Sequence, residues 1–303
     1  MPRTQANLIL LFAGAIWGMG FVAQSSAMKA IGPFLFIGLR FALATVVVLP
    51  FALREARSTE RPLDKQGLNG LLWIGVILFL GMASQQTGLL TTTVTNSGFL
   101  TGLYVVFTPI IAVLFLREMP HGIVWPGALL SLTGIFLLSG GDLLTLSKGD
   151  LLTILCAVFW AIQVILIGKF GKRTGRPLAL SAIQFAVCAV LALAVALVFE
   201  PFDWVAIRLA TNEILFAGIF SSGVAFTLQA IAQRHTTSSQ AAIFLSSEAF
   251  FAALFGALIL SERIGFVGYL GCALMLSAML LVEIVPELRK NKGRAQAERD
   301  RKA

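Results

Sequence analysis

Charge is what this sequence lacks. Of its 303 residues only 13% are Asp, Glu, Lys or Arg, while 57% are hydrophobic, and the mean hydropathy is +0.88. A soluble globular chain carries about 25% charged residues, so a water-facing surface cannot be assembled from this composition. Cysteine is scarce: Cys156, Cys188 and Cys272 each fall in an apolar segment and no C-x-x-C occurs, which argues against a disulfide framework or a zinc site. The two histidines, His121 and His235, lie in breaks between apolar runs. There is no H-E-x-x-H, no P-loop and no G-x-S-x-G. No metal, cofactor or nucleotide is expected, and an enzyme is not.

What the sequence has in excess is long apolar runs. Ten can be drawn, over 8–28, 33–53, 68–88, 94–116, 122–140, 151–169, 177–199, 213–233, 238–260 and 265–284. Each is close to the ~20 residues that cross ~30 Å of hydrocarbon as a helix. Strands of a membrane barrel would be about half as long and would alternate. The expected fold is an all-α integral membrane protein with ten transmembrane helices. The first run is too long for a signal-peptide core, so Ser25-Ser26-Ala27 is expected to stay uncleaved.

The net charge of +8 reports topology here and no nucleic-acid partner; the partner is the lipid bilayer. Eighteen of the 23 Lys and Arg residues collect on one side, in the N-terminus, every second loop and the C-terminal tail. Only Lys29, Lys148, Arg208 and Arg263 fall on the other, and Arg40 lies inside a span. The positive-inside rule then places both termini in the cytoplasm. The basic segment 286–303 is expected as a solvated, disordered tail able to touch anionic lipid.

The two halves of the chain echo each other. Trp17 and Trp160, Gly75 and Gly218, and Gln86 and Gln229 are each 143 apart; Phe41 and Phe185, Glu118 and Glu262, and Gly127 and Gly271 are each 144 apart. Rare residues match at a near-constant offset, so the chain reads as a five-span unit, 1–143, followed by a second copy, 144–285. An odd number of spans flips the second copy, giving inverted repeats. The one-residue change of offset is expected between Gln86 and Glu118.

Particular motifs carry a resemblance. Ala15-Ile16-Trp17-Gly18, Pro109 with Leu116-Arg117-Glu118, Leu260-Ser261-Glu262 and the glycines from Gly127 to Gly134 resemble the drug/metabolite transporter superfamily, EamA type. Within it the chain is similar to YddG-type amino-acid exporters of bacterial inner membranes. Met19-Gly20 and Ala253 depart from the common pattern. The resemblance implies two five-helix halves, export of small metabolites and residence in a bacterial inner membrane.

The polar residues inside the spans are the candidate site. A charge in lipid is costly and marks function, and two lie well inside: Arg40, about 10 Å below the outer end of its span, and Glu248, about 18 Å below its own, at 1.5 Å per residue. They suit the carboxylate and ammonium of an amino acid; a structural Arg–Glu pair, or Arg40 snorkelling toward the outer headgroups, is the alternative. Ser97, Thr101, Tyr104 and Thr108 form one helical stripe, with Ser247 and Glu248 among the repeat equivalents. Trp17 and Gln24, echoed by Trp160 and Gln163, are expected to line the same cavity. Glu118 and Glu262 are expected to order helix ends, and Gly14 with Gly18 to mark close helix contact. The sequence points to a secondary transporter working by alternating access on a small-molecule substrate, amino acids foremost and aromatic or neutral ones among them, as a monomer. Export of other metabolites, or of lipophilic or cationic drugs, is the alternative; an integral-membrane enzyme or a scaffold fits less well.

Overall fold

The structure, a computed structural model, describes residues 1–59, 62–92, 94–117, 119–138, 147–259 and 265–300. The span-ending Glu118 and Glu262 and the Gly140-Gly141-Asp142 break lie outside the described residues. All the secondary structure described is helical: α1 (Arg3–Ala27), α2 (Pro33–Ser58), α3 (Lys65–Gly88), α4 (Val94–Thr101), α5 (Tyr104–Leu116), α6 (Val124–Leu138), α7 (Lys148–Thr174), α8 (Pro177–Phe199), α9 (Trp204–Leu209), α10 (Thr211–Phe216), a π-helical segment Ala217–Phe226, α11 (Thr227–Ala232), a 3₁₀ turn Gln233–His235, α12 (Ser238–Leu245), α13 (Ser247–Ile259) and α14 (Phe266–Asp300). Among the described residues nine stretches are long and apolar enough to cross a membrane, and Val124–Leu137 is a shorter apolar helix.

Local chemistry sets the ends. Pro33 and Pro177 open α2 and α8, where a missing N–H costs nothing. Asp64 caps α3 through the Gly67 N–H, and Ser147 and Asp150 form a reciprocal capping box on α7. Gly175 closes α7 at φ 69°, a left-handed conformation that glycine adopts without strain. The last helix continues to Asp300, into the segment expected to be a disordered tail.

The polarity is that of a protein dissolved in lipid. Phe12, Val46, Trp73, Leu114, Leu197 and Leu258 are exposed, while Gln85, Gln86, Gln163, Gln184, Gln229 and Arg40 are buried. Lipid tails are as apolar as leucine, so helices associate through close packing and interior hydrogen bonds. Gly14 and Gly18 provide the first on α1: a methyl added to Gly14 would meet Ser247 Oγ, and one on Gly18 would meet the Ala252 backbone nitrogen 2.7 Å away. Gly134 on α6 lies as close to the Gly271 carbonyl of α14.

At the centre α2 lies against α8, α3 against α7, and α1 against α13 and the π-helical segment. The α2–α8 pair is clasped at both ends. Glu55, in the last turn of α2, accepts from the N–H groups of Leu178 and Ala179 at the start of α8, at 3.1 and 2.8 Å. Glu200, at the end of α8, accepts from the N–H groups of Phe34 and Leu35 at the start of α2, at 2.9 and 2.7 Å. Each carboxylate satisfies orphan donors at the positive end of a helix dipole. Since the C-terminus of each helix meets the N-terminus of the other, the two run antiparallel.

Candidate functional site

Two of the expected continuous spans are broken. The run 94–116 divides into α4 and α5 at Gly102-Leu103, and the run 238–260 into α12 and α13 at Ser246. The residues just past the breaks, Tyr104 and Glu248, face a common cavity. Discontinuous helices at bilayer depth expose backbone only where it is enclosed by protein or lines a cavity. The third irregular element, the π-helical Ala217–Phe226, borders the same space through Ser221 and Phe226.

Seven of the residues singled out from the sequence line this cavity: Trp17, Gln24, Arg40, Thr101, Tyr104, Trp160 and Glu248. Ser97, Gln163 and Ser247 are buried but stand behind the wall. Ser247 packs on Gly14. Gln163 donates to Gln184 and accepts from Gln229, both at 3.3 Å, which links α7, α8 and α11. Thr108 turns back to the Tyr104 carbonyl. Gln86 is directed away from the cavity, its amide 3.7 Å from Met28 Sδ, and Gln85 takes the lining position.

Arg40 is 1% exposed and held by neutral oxygens. Its Nε donates to Ser222 Oγ at 2.9 Å, one terminal nitrogen to Gln24 Oε1 at 3.1 Å and the other to Ser221 Oγ at 3.1 Å. The rings of Phe36 and Phe41 lie 5.6 and 5.2 Å from its guanidinium carbon. Five donors are available on arginine and three are taken. Among the described residues no ion pair joins Arg40 to Glu248 or joins either to another charge. The alternative of a structural Arg–Glu pair is therefore not what forms. The Arg40 guanidinium and the Glu248 carboxyl group face one cavity without pairing with each other.

Aromatic rings form the rest of the wall. Phe226 sits between the indoles, its centroid 4.6 Å from that of Trp17 and 5.7 Å, stacked, from that of Trp160. Phe41 and Phe185 back it at 6.0 and 6.1 Å. Trp17 is fixed by donating to the Ser221 carbonyl at 2.8 Å. Gln229 Oε1 has no partner, although buried polar atoms are nearly always satisfied. Gln229 lines the cavity, so this atom can meet a solute, while the Tyr104 hydroxyl is paired with Glu248 on the opposite break.

Sequence reasoning missed Phe21, Met82, Gln85, Val164, Ser221, Phe226, Gln229 and Leu245 as lining residues. For Phe21, Met82, Val164, Phe226 and Leu245 an apolar residue in an apolar span gives no signal. For Gln85, Gln229 and Ser221 the signal was present, a polar side chain in a lipid-depth run. No group of three or more His, Cys, Asp or Glu that could hold a metal occurs among the described residues.

A cavity with an arginine and a carboxyl group on its wall, inside a lipid-facing bundle, agrees with what the chain is similar to. An uncharacterized transporter of Archaeoglobus fulgidus is 33% identical over 294 residues, spanning 94% of this chain and 87% of that protein. An uncharacterized transporter of a Synechocystis strain is 26% identical over 314 residues, spanning 94% of this chain and 92% of that one. A crystal structure superposes with a TM-score of 0.78 at 20% identity, over 93% of this chain and 98% of the other, a likeness of fold. The model of the EamA-like transporter family matches residues 4–140 and again residues 147–284, and the chain therefore belongs to that family, as a multi-pass membrane transporter of small solutes.

Proposed function

We propose that this transporter exports small zwitterionic metabolites, amino acids foremost, by alternating access between two inverted five-helix repeats, with both termini in the cytoplasm of a bacterial cell. The observation that carries the reading is an arginine and a carboxyl group, Arg40 and Glu248, on one aromatic cavity with no ion pair between them. A zwitterion supplies the missing partner to each, carboxylate to guanidinium and ammonium to Glu248, while Trp17, Phe226 and Trp160 accept an apolar or aromatic side chain.

Several features support duplication with inversion. The two matches of the family model fall on successive halves. The clasps of Glu55 on α8 and Glu200 on α2 are counterparts on antiparallel helices. Packing is paired too: α3 lies on α7 as the π-helical segment and α11 lie on α1. The cavity wall itself pairs off. Trp17 with Trp160 and Phe21 with Val164 are 143 apart; Met82 with Phe226, Gln85 with Gln229, Thr101 with Leu245, and Tyr104 with Glu248 are 144 apart. Equivalent walls can exchange conformations at similar energy, which is the physical basis of opening to either side.

Efflux from preloaded proteoliposomes tests the function. Saturable efflux of neutral amino acids, with KM raised about tenfold or more in Arg40→Gln and in Glu248→Gln at normal expression, is the expected result. Repeating it with and without a pH gradient separates proton-coupled export from facilitated diffusion. Wild-type rates in both variants would end the zwitterion reading.

A further inference from the structure

The repeat is not perfect: its offset is 143 at Trp17, 144 at Arg40, 143 again at Gly75 and 144 from Met82, and the last of these changes falls at the site. Gly75 on α3 abuts Gln184 and Val187 of α8, and Gly218 abuts Arg40 and Leu43 of α2. Arg40 and Gln184, like Leu43 and Val187, are 144 apart, so these contacts match Gly75 with Gly218 at 143. Seven residues further along α3, Met82 lines the cavity; its counterpart Phe226 comes eight residues after Gly218. The second half therefore carries one extra residue between Gly218 and Phe226. This replaces the expectation that the offset changes between Gln86 and Glu118. The stretch that absorbs the extra residue is the π-helical segment Ala217–Phe226, because widening turns from i+4 to i+5 bonding accommodates an insertion while both flanks keep their packing.

What the insertion produces is the bed of Arg40. Ser221 and Ser222 are consecutive, about 100° apart on an ordinary helix, yet both hydroxyls reach the same guanidinium, at 3.1 and 2.9 Å. Of the fifteen residues that line the cavity, twelve fall into the six pairs given above. The three left over are Gln24, Arg40 and Ser221, and these are bonded to one another through Arg40. At the equivalent place in the other half Gln184 bonds only to Gln163, with no charge.

From this we infer that the π-helical insertion is the specificity-determining element of the site: Ser221 and Ser222 position Arg40 as a carboxylate anchor, and the anchor exists in one half only. Hydroxyl oxygens orient the guanidinium without neutralising it. Two of its five donors stay unclaimed, one on each terminal nitrogen, the number a carboxylate accepts. A carboxylate on the paired wall could bind in either of two symmetry-related poses; the unpaired anchor selects one. The substrate class is then an α-amino acid or a similar short zwitterion, its anionic end toward the N-terminal half of α2. The inference rests on the zwitterion reading for its ligand, and on geometry for its residues.

Ligands that share one hydrocarbon skeleton test it. L-Phenylalanine carries both charges, 3-phenylpropionate only the carboxylate and phenethylamine only the ammonium. Dissociation constants on the purified full-length chain in detergent are compared for wild type, the Ser221→Ala/Ser222→Ala double variant and a deletion of Gly223, which shortens the π segment by the extra residue. Both variants are expected to lose at least tenfold in affinity for phenylalanine and 3-phenylpropionate while binding phenethylamine within twofold of wild type. A merely structural role would weaken all three alike and would overturn the inference. So would a wild-type protein to which the carboxylate adds no affinity, or a double variant that keeps the wild-type ratios. If the wild type binds 3-phenylpropionate but not phenylalanine, the zwitterion reading falls, and loss of that binding in the double variant still upholds the anchor. The double variant decides if the deletion fails to fold.

Discussion

Arg40 and Gln184 occupy equivalent places on the two central helices and behave oppositely. Arg40 is a buried cation on three neutral oxygens at the cavity wall. Gln184 lies behind the wall in an amide ladder with Gln163 and Gln229. On the proposed reading the paired features, which are the indoles, the helix breaks and the Glu55 and Glu200 clasps, serve what both halves must do, to pack and to exchange conformations. On that reading the unpaired ones serve recognition, which has to be polar in direction because a zwitterion is. A fully symmetric carrier could open to both sides but could not orient a zwitterion.

Erasing the difference should have the largest effect. Arg40→Gln gives both halves an amide; hydrogen bonds to a charged group contribute about 1.5–3 kcal/mol, so affinity for a zwitterion should fall on the order of 10- to 100-fold. Gln184→Leu removes a side chain off the cavity, and transport should stay within about twofold while thermal stability drops by roughly 1 kcal/mol; a transport loss matching that of Arg40→Gln would break the comparison. Glu248→Gln should raise KM for amino acids about tenfold and leave binding of a singly negative analogue unchanged, as competition assays would show. The clasps sharpen the symmetric side. Glu55→Gln and Glu200→Gln should each cost about 1 kcal/mol and by similar amounts, read from denaturation midpoints. The smallest effect is expected at the exposed Asp64–Arg173 pair, at 2.8 Å. The hydrogen bond from Arg173, aided by the Gly67 N–H, holds the Asp64 carboxyl below its ordinary value. A depressed carboxylate stabilises above its unfolded pKa and loses that contribution as the pH falls through the folded one, so whatever the pair contributes is present above about pH 4 and fades below it. Being exposed and screened, it leaves Asp64→Asn indistinguishable from wild type between pH 5 and 8.

Much of this was legible before any coordinates. Lipid forces backbone groups to be satisfied within each span, so apolar runs alone located the helices. The expense of polarity in lipid pointed to Arg40, Glu248 and the indoles, all of which face the cavity. The helix breaks at Gly102 and Ser246 and the π-helical segment were not legible, because interior packing and not local preference decides where a membrane helix departs from i+4 bonding. Gln85 and not Gln86 lines the cavity with Gln229; on the inference drawn above, one residue absorbed by the π segment makes Gln85 the counterpart of Gln229, and a comparison of letters at fixed offset cannot register that.

The most direct test of the account is access to the cavity from each face of the membrane. With Cys156, Cys188 and Cys272 replaced, a single cysteine in place of Gln85 is exposed to a membrane-impermeant thiol reagent from the cytoplasmic or the opposite side, in vesicles of known orientation. The account expects labelling from both sides, at rates that change in opposite directions when a transported amino acid is added. Labelling from one face only, unaffected by any amino acid, would contradict it.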